Sequence, residues 1–448
     1  MNIIMSKIKN VLLLAGDIAV LYLTLFLTLA IRYGSNWNNQ WDAHFLPFSL
    51  LYFSSLIVFY IIGLYDLTLA RNNLYFFVTL TKALAINVFI AIVFFYFIPY
   101  FGITPKTNLF INFLIFAVLF VGWRQFYNYF IKSPALLNNV LVLGQSQETK
   151  ELVHYIKENP QLGFRIKKIV EPEDVKLLYD LIETLIQEKI QIIVTTVNPY
   201  KDGNLVRNLY QCLPLKITVA DLPTFYEKIT GKIPVSAIEE IWFLENLMSE
   251  QKTFFEGLKR IIDIIIALLL GAMTLILTPL IALLIKMDDF GPIFYRQKRV
   301  GQDSRIFEVI KFRTMVPDAE KDGAQWAHEK DKRITRIGSF LRKTRLDELP
   351  QLLNVLRGQM SFIGPRPERP EFAFSNELLS QIPFYQIRHT IKPGLTGWAQ
   401  IKYPYGASIK DTLQKLQYDL FYIKNRSFIL DLAIILQTVK IILSGRGR

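Results

Sequence analysis

Cysteine is nearly absent. Cys212 stands alone in 448 residues, so the chain can form neither an internal disulfide nor a cysteine metal cluster. Histidine is scarce as well: His44, His154, His328 and His389 are scattered without ligand spacing. Any resident metal would therefore be a hard, oxygen-bound ion such as Mg2+. Glycine is missing where a dinucleotide loop needs it. After Gly144 the chain reads Gln-Ser-Gln-Glu-Thr, and without further glycines the backbone cannot approach a pyrophosphate closely. No tyrosine has a lysine four residues on, which removes the Tyr-x-x-x-Lys pair of a nucleotide-sugar dehydratase or epimerase. The net charge of +13 comes with no nucleic-acid-binding motif, so nucleic acid is not an expected partner.

Apolar residues are abundant, at 52% of the chain, with a mean hydropathy of +0.28. The excess sits in long runs, which marks a membrane protein. A membrane crossing needs about 20 apolar residues, and spans are expected near Val11–Ile31, Leu46–Leu64, Leu74–Ile98 and Leu109–Trp123. The first run is too long for a typical signal peptide and reads as retained. Lys7 and Lys9 precede the first span, Arg71 lies between the second and third, and Arg124 and Lys132 follow the fourth; Arg32 and Lys106 lie in the opposite loops. This bias puts the N-terminus and everything after the fourth span in the cytoplasm. Asp17 and Lys82 fall inside spans, near their cytoplasmic ends.

From residue 133 to 221 the composition becomes that of an α/β domain. Asn139–Gly144, Arg165–Val170, Ile190–Thr196 and Lys216–Ala220 read as strands; Gln147–Glu158, Asp174–Lys189 and Leu205–Leu213 read as helices. Such alternation implies a parallel, Rossmann-like sheet, here with a scaffolding or regulatory role. Residues 222–254 read as a connector.

The apolar stretch Leu258–Lys286 is long enough to span, yet cations flank both ends: Lys259 and Arg260 before it, Lys286, Arg296, Lys298 and Arg299 after it. The positive-inside rule keeps both ends cytoplasmic. Thr278-Pro279 interrupts the run, since proline removes a backbone bond and threonine can satisfy a freed carbonyl. A re-entrant helix is therefore expected. Beyond it, Phe307–Met315 alternates as a strand does, with Lys311 and Arg313 on one face as a cradle for a diphosphate. Gly364–Pro370 is a stiff proline loop that presents Arg366 and Arg369, a side chain suited to bidentate phosphate contact. Asp347 and Glu348 stand side by side before Pro350, at an expected helix N-terminus that favours anions. Arg342 and Arg345 lie just upstream. A carboxylate among cations, beside a phosphate-attracting site, suits phosphoryl chemistry. Ser427–Leu443, with the tail cations Arg446 and Arg448, reads as an interfacial helix on anionic lipid.

Five motifs occur together: Lys-Arg-x-x-Asp at 259–263, Lys-Phe-Arg-Thr-Met at 311–315, Leu-Asp-Glu-Leu-Pro-Gln at 346–351, Gly-Pro-Arg-Pro at 364–367 and Gly-Leu-Thr-Gly-Trp-Ala-Gln at 394–400. In this combination and order the stretch 251–448 resembles the bacterial sugar transferases, monotopic polyprenyl-phosphate phosphoglycosyltransferases. The layout of the whole chain resembles the large form of that family. The resemblance implies an N-terminal four-helix membrane region (1–132), a Rossmann-like α/β domain (133–221), a connector (222–254) and an α/β catalytic domain (255–448) with a re-entrant helix at 261–285. It further implies transfer of a sugar-1-phosphate from a UDP-sugar to undecaprenyl phosphate, releasing UMP, at the cytoplasmic face of the bacterial inner membrane. In that reaction Asp347 would be the nucleophile forming a phosphosugar–aspartate intermediate. Glu348 would help to hold Mg2+, Arg342 would meet phosphate, and Arg366 would face the nucleotide. The sugar stays open. Capsule, lipopolysaccharide O-antigen and exopolysaccharide pathways all remain open, and a homodimer through the membrane helices and middle domain is compatible with the layout.

Overall fold

A computed structural model describes residues 4–98, 106–133, 136–171, 178–196, 203–247, 253–319, 331, 333–403, 406 and 408–443. The tail cations Arg446 and Arg448, and the start of the helix expected from Asp174, lie outside these residues. The chain divides into two compact units, Met1–Phe225 and Tyr226–Arg448.

The first unit opens with helices α1 (Ile4–Tyr33), α2 (Trp37–Ile62), α3 (Leu74–Phe97) and α4 (Lys106–Phe130). The stretches Ile8–Ile62, Leu74–Phe97 and Thr107–Phe130 are long and apolar enough to cross a membrane; a short turn at Gly34–Asn36 divides the first into α1 and α2. Leu21, Leu25, Leu29, Phe48, Phe59, Leu80 and Phe120 fill the space between the helices. The helix α4 runs past Trp123, where the apolar run was expected to end. Arg124 therefore lies inside the helix, and pairs with Asp17 at 2.6 Å in full burial. Trp123 Nε1 also donates to Asp17 at 3.0 Å, and Arg124 donates to the Leu64 carbonyl at 2.7 Å. The Asp17 charge is thus a tie between α1 and α4, while Lys82 is exposed on α3.

The α/β part comprises β1 (Asn138–Leu143), α5 (Gln147–Glu158), β2 (Phe164–Val170), α6 (Leu178–Gln187), β3 (Ile192–Thr195), α7 (Gly203–Gln211) and β4 (Thr218–Asp221). All pairs are parallel, in the order β2-β1-β3-β4. Gly144 has φ +94, and a Cβ there would lie 1.8 Å from Thr196 Oγ1. That close approach accounts for the glycine. The next residues cap α5: the Ser146 side chain accepts from Thr149 N. An N–H group that a dinucleotide loop would offer to phosphate is used internally.

Helix α8 (Leu222–Thr230) crosses the division between the units. The stretch expected to be a connector is in large part core. Ile233, Val235, Ile238 and, on α9 (Glu240–Leu247), Phe243 are buried with Leu416, Leu420, Tyr422 and Ile434. The second unit therefore begins well before residue 255.

Its longest element is α10 (Thr253–Asp289), 37 residues in one continuous helix. Where an interruption was expected, the helix runs through Pro279, and Thr278 Oγ1 donates to the Thr274 carbonyl at 2.7 Å. Phe255, Lys259, Asp263, Ala267, Thr274, Ile281 and Ile285 form one buried stripe. Leu268, Leu269, Leu275, Ile276, Leu280 and Leu283 on the other sides are exposed. Both ends are tied to this same unit. Near the start, Lys259 pairs with Asp431 at 2.6 Å and Asp263 accepts from Phe362 N at 3.0 Å. Near the end, Asp288 accepts from Ile337 N at 3.0 Å and Asp289 pairs with Arg313.

The remaining elements are the antiparallel hairpin β5 (Phe294–Val300) and β6 (Ile306–Phe312), then α11 (Arg336–Thr344), α12 (Leu352–Leu356), β7 (Ser361–Ile363), α13 (Pro370–Ala373), α14 (Asn376–Gln381), β8 (Gly394–Thr396), α15 (Trp398–Lys402), α16 (Ile409–Asn425) and α17 (Phe428–Leu443). The strands β7 and β8 form a short parallel pair. On α17, Asp431 and Ile434 are buried, whereas Ile429, Leu432 and Leu443 are exposed.

Candidate active site

The acid pair sits at a sharp corner. Thr335 caps α11, and Gly338 is required there because a Cβ would lie 2.0 Å from the Thr314 carbonyl oxygen. The helix ends at Arg345, which takes a left-handed conformation at φ +60. The chain then enters a 3-10 helix, Leu346–Gln351, whose first turn holds Asp347 and Glu348. Leu346 and Leu349 rest on the cluster of Ile281, Ile285, Phe312 and Leu341, so α10 forms the floor below the pair. Thr278 and Pro279 lie on that same helix.

One buried asparagine sets the hairpin over the acids. Asn354, fully buried on α12, accepts from Ile310 N at 3.3 Å and donates to the Glu308 carbonyl at 2.6 Å. This registers β6 so that Lys311 Nζ meets Glu348 Oε1 at 2.9 Å. Arg366 reaches the same oxygen at 3.1 Å from the proline loop, and Arg345 lies 3.6 Å from Oε2. Arg342 donates through Nε to Thr314 Oγ1 at 2.9 Å, and its charge acts on Asp347.

Arg313 does not join them. β6 ends at Phe312, so the strand alternation expected to put Lys311 and Arg313 on one face stops before Arg313. Its guanidinium pairs with Asp289 and donates to the carbonyls of Pro292 and Met315, tying α10 to the hairpin. Arg369 is at the start of α13, and its positive charge is felt at Arg299.

Two further residues line the pocket, Arg299, which reads in the sequence only as a flanking cation, and Gln351, which reads only as the end of a motif. The cavity beside the pair is lined by Arg299, Lys311, Glu348, Gln351, Arg366 and Gly394, among others. Arg299 donates to the Pro367 carbonyl at 3.1 Å, and its Nε is buried without a partner. Gln351 is 4% exposed and its amide nitrogen has no acceptor. The signal for Gln351 was its spacing, one helical turn after Asp347; that for Arg299 was the alternation of β5.

The two carboxylates are driven apart electrically. For Glu348, burial opposes ionisation, but Lys311, Arg366 and Arg345 outweigh it and hold the carboxyl well below its usual range. For Asp347, burial and the adjacent Glu348 charge push the carboxyl up to about 6, against Lys311, Arg345 and Arg342. Asp347 is 8% exposed and its Oδ1 has no hydrogen-bond partner. Adjacent acids with opposite shifts suit different roles: Glu348 as the fixed anion that gathers cations, Asp347 as the unpartnered and more basic carboxylate.

Among the described residues no group of three His, Cys, Asp or Glu side chains could enclose a metal. Mg2+, however, is usually held by one or two carboxylates completed by substrate phosphate oxygens and water. Glu348, held ionised beside Asp347, fits that donor set.

Residues 254–445 match the family model described as bacterial sugar transferase. A UDP-glucose:undecaprenyl-phosphate glucose-1-phosphate transferase of Escherichia coli (strain K12) is 43% identical over 338 residues, covering 71% of this chain and 69% of that protein. A protein of the same name from Xanthomonas campestris pv. campestris is 33% identical, covering 70% of this chain and 68% of that protein. A UDP-N-acetylgalactosamine-undecaprenyl-phosphate N-acetylgalactosaminephosphotransferase of Aeromonas hydrophila is 40% identical over 245 residues, 55% of this chain and 57% of that protein. The chain belongs to the bacterial sugar transferase family.

Proposed function

We propose that this protein transfers a sugar-1-phosphate from a UDP-sugar to undecaprenyl phosphate, giving undecaprenyl-diphosphate-sugar and UMP. The observation that carries the reading is the buried, unpartnered Asp347 oxygen beside a carboxylate held by Lys311, Arg345 and Arg366. The names of the relatives support the donor and acceptor classes.

Phosphoryl transfer depends chiefly on positioning and charge neutralisation. The donor diphosphate lies against Lys311, Arg299 and Arg366, and the Arg342 charge acts on Asp347. The Asp347 carboxylate attacks the sugar-bearing phosphorus; the bond from that phosphorus to the UMP oxygen breaks and UMP leaves. An oxygen of undecaprenyl phosphate then attacks the same phosphorus, and the bond to Asp347 breaks. A carboxylate nucleophile thus divides one transfer between two bulky anions into two steps. Mg2+ held by Glu348 and the donor diphosphate would supply charge neutralisation and a better leaving group.

The acceptor arrives from the membrane. Both ends of α10 are tied to one unit and apolar residues are exposed on its other sides, which supports a re-entrant helix that enters and leaves through one leaflet by bending, without breaking, at Thr278-Pro279. That disposition, with α17 lying at the interface on anionic lipid, keeps the site at the cytoplasmic surface of the inner membrane. The protein acts in the first membrane step of polysaccharide or glycoconjugate assembly.

The test is UMP release by the purified protein with undecaprenyl phosphate, Mg2+ and UDP-glucose or UDP-N-acetylgalactosamine. Donor labelled in the sugar should leave label on the wild-type protein when acceptor is omitted, and none on Asp347→Asn. Labelling that survives the substitution would remove Asp347 from its role.

A further inference from the structure

The loop that carries Arg366 is held by its backbone. Every carbonyl oxygen from Pro365 to Glu368 accepts from a donor outside the loop. Gly394 N reaches Pro365 at 2.8 Å and Val300 N reaches Glu368 at 2.9 Å. Arg299 reaches Pro367 at 3.1 Å and Arg388 reaches Arg366 at 3.2 Å. Arg388 is the unusual member. It is 3% exposed and does not line the pocket. Its two terminal nitrogens serve three segments at once. Nη1 donates to the Tyr385 hydroxyl at 2.7 Å and lies 3.5 Å from Glu368 Oε1. Nη2 donates to Asp419 on α16 at 2.7 Å as well as to the Arg366 carbonyl.

Stability alone is a poor reason for such a pair. Taking two charges out of water costs several kcal/mol per ion, and apolar replacements of buried pairs are often as stable. Burial pushes Asp419 up to about 6 even with Arg388 beside it, a sign of that cost. What arginine uniquely supplies is a rigid planar fork of donors. Here the fork fixes the Arg366 backbone relative to α16, and so fixes where the Arg366 side chain emerges beside Glu348.

We propose that Arg388 is a positioning residue: it holds the Arg366 carbonyl so that the Arg366 guanidinium is delivered to Glu348 and to the donor's diphosphate. The inference rests on the reading that Arg366 meets that diphosphate. Lysine at 388 keeps the charge opposite Asp419, but its three donors radiate from one nitrogen and cannot reproduce the fork that holds Asp419 and the Arg366 carbonyl while also reaching Tyr385 and Glu368. The experiment is a double-mutant cycle on the full-length protein, read as UMP release with UDP-glucose and UDP-N-acetylgalactosamine. Arg388→Lys should raise KM for the donor on the order of tenfold, the loss of about one charge-assisted hydrogen bond, with kcat changed less than about twofold. In an Arg366→Ala background the same substitution should leave KM unchanged, because coupled residues are not additive. An equal rise in KM in both backgrounds, or a fall in melting temperature with KM unmoved, would overturn the proposal. An Arg366→Ala protein with the wild-type KM would instead overturn the placement of Arg366 at the diphosphate, and the inference with it.

Discussion

Asp347→Asn should make the protein inactive and more stable at once. In the native state burial and the adjacent Glu348 charge lift the Asp347 carboxyl from its ordinary 3.8 to about 6. Holding it ionised therefore costs the folded state: each tenfold change in the proton equilibrium is about 1.4 kcal/mol, so the penalty at pH 8 approaches ~3 kcal/mol. The sign follows from the direction of the change. A carboxyl raised in the folded state favours folding most below its unfolded value, and that contribution is lost as pH rises through about 6. Asparagine removes the charge without removing the shape. The melting temperature of the variant should match wild type near pH 4 and exceed it above pH 7. At roughly 2–4 °C per kcal/mol for a unit of this size, the gain reaches several degrees. The assay is thermal unfolding of both proteins in detergent across pH 4–8, beside UMP release at each pH. A variant less stable than wild type at pH 8, or a difference that does not change with pH, would refute the electrostatic account of the pair.

Glu348→Gln should act in the opposite sense. It leaves Lys311, Arg366 and Arg345 without their shared anion; breaking a buried pair costs on the order of 3–5 kcal/mol, so both the melting temperature and UMP release should fall. In a Cys212→Ala background, Gly257→Cys and Met287→Cys, which sit at open positions near the two ends of α10, should react with an impermeant thiol reagent from the same side of sealed vesicles. Reaction from opposite sides would show a crossing helix instead. Phe243→Ala should lower the melting temperature of the C-terminal unit as a core truncation does, by about 3–5 kcal/mol of stability, whereas an exposed connector would tolerate it within about 0.5 kcal/mol.

Much of this molecule is readable along the chain because the relevant signals are local. The apolar runs mark the helices that can enter a membrane, since a length requirement acts on consecutive residues. Alternating apolar strands and amphipathic helices predict the parallel sheet of residues 138–221, and the order β2-β1-β3-β4 keeps every pair parallel. The acid pair before Pro350 is legible because charge and helix-start chemistry coincide there. The missing glycines after Gly144 also have a local meaning, for Ser146 uses the loop to cap α5.

Whatever depends on where a strand stops, or on which distant segment faces a charge, was decided by the tertiary structure. Lys311 and Arg313 look equivalent in sequence, two residues apart on an alternating strand. Because β6 ends at Phe312, one meets Glu348 and the other meets Asp289. Asp17 reads as an isolated membrane charge until α4 is seen to carry Arg124 against it. Residues 233–243 read as a connector because a short apolar segment has no periodicity of its own; their role comes from the α16 surface they cover. The opposite shifts of Asp347 and Glu348 have the same origin. Adjacent carboxylates are chemically alike in the chain, and only the cations brought from β6, α11 and the 364–370 loop make them different.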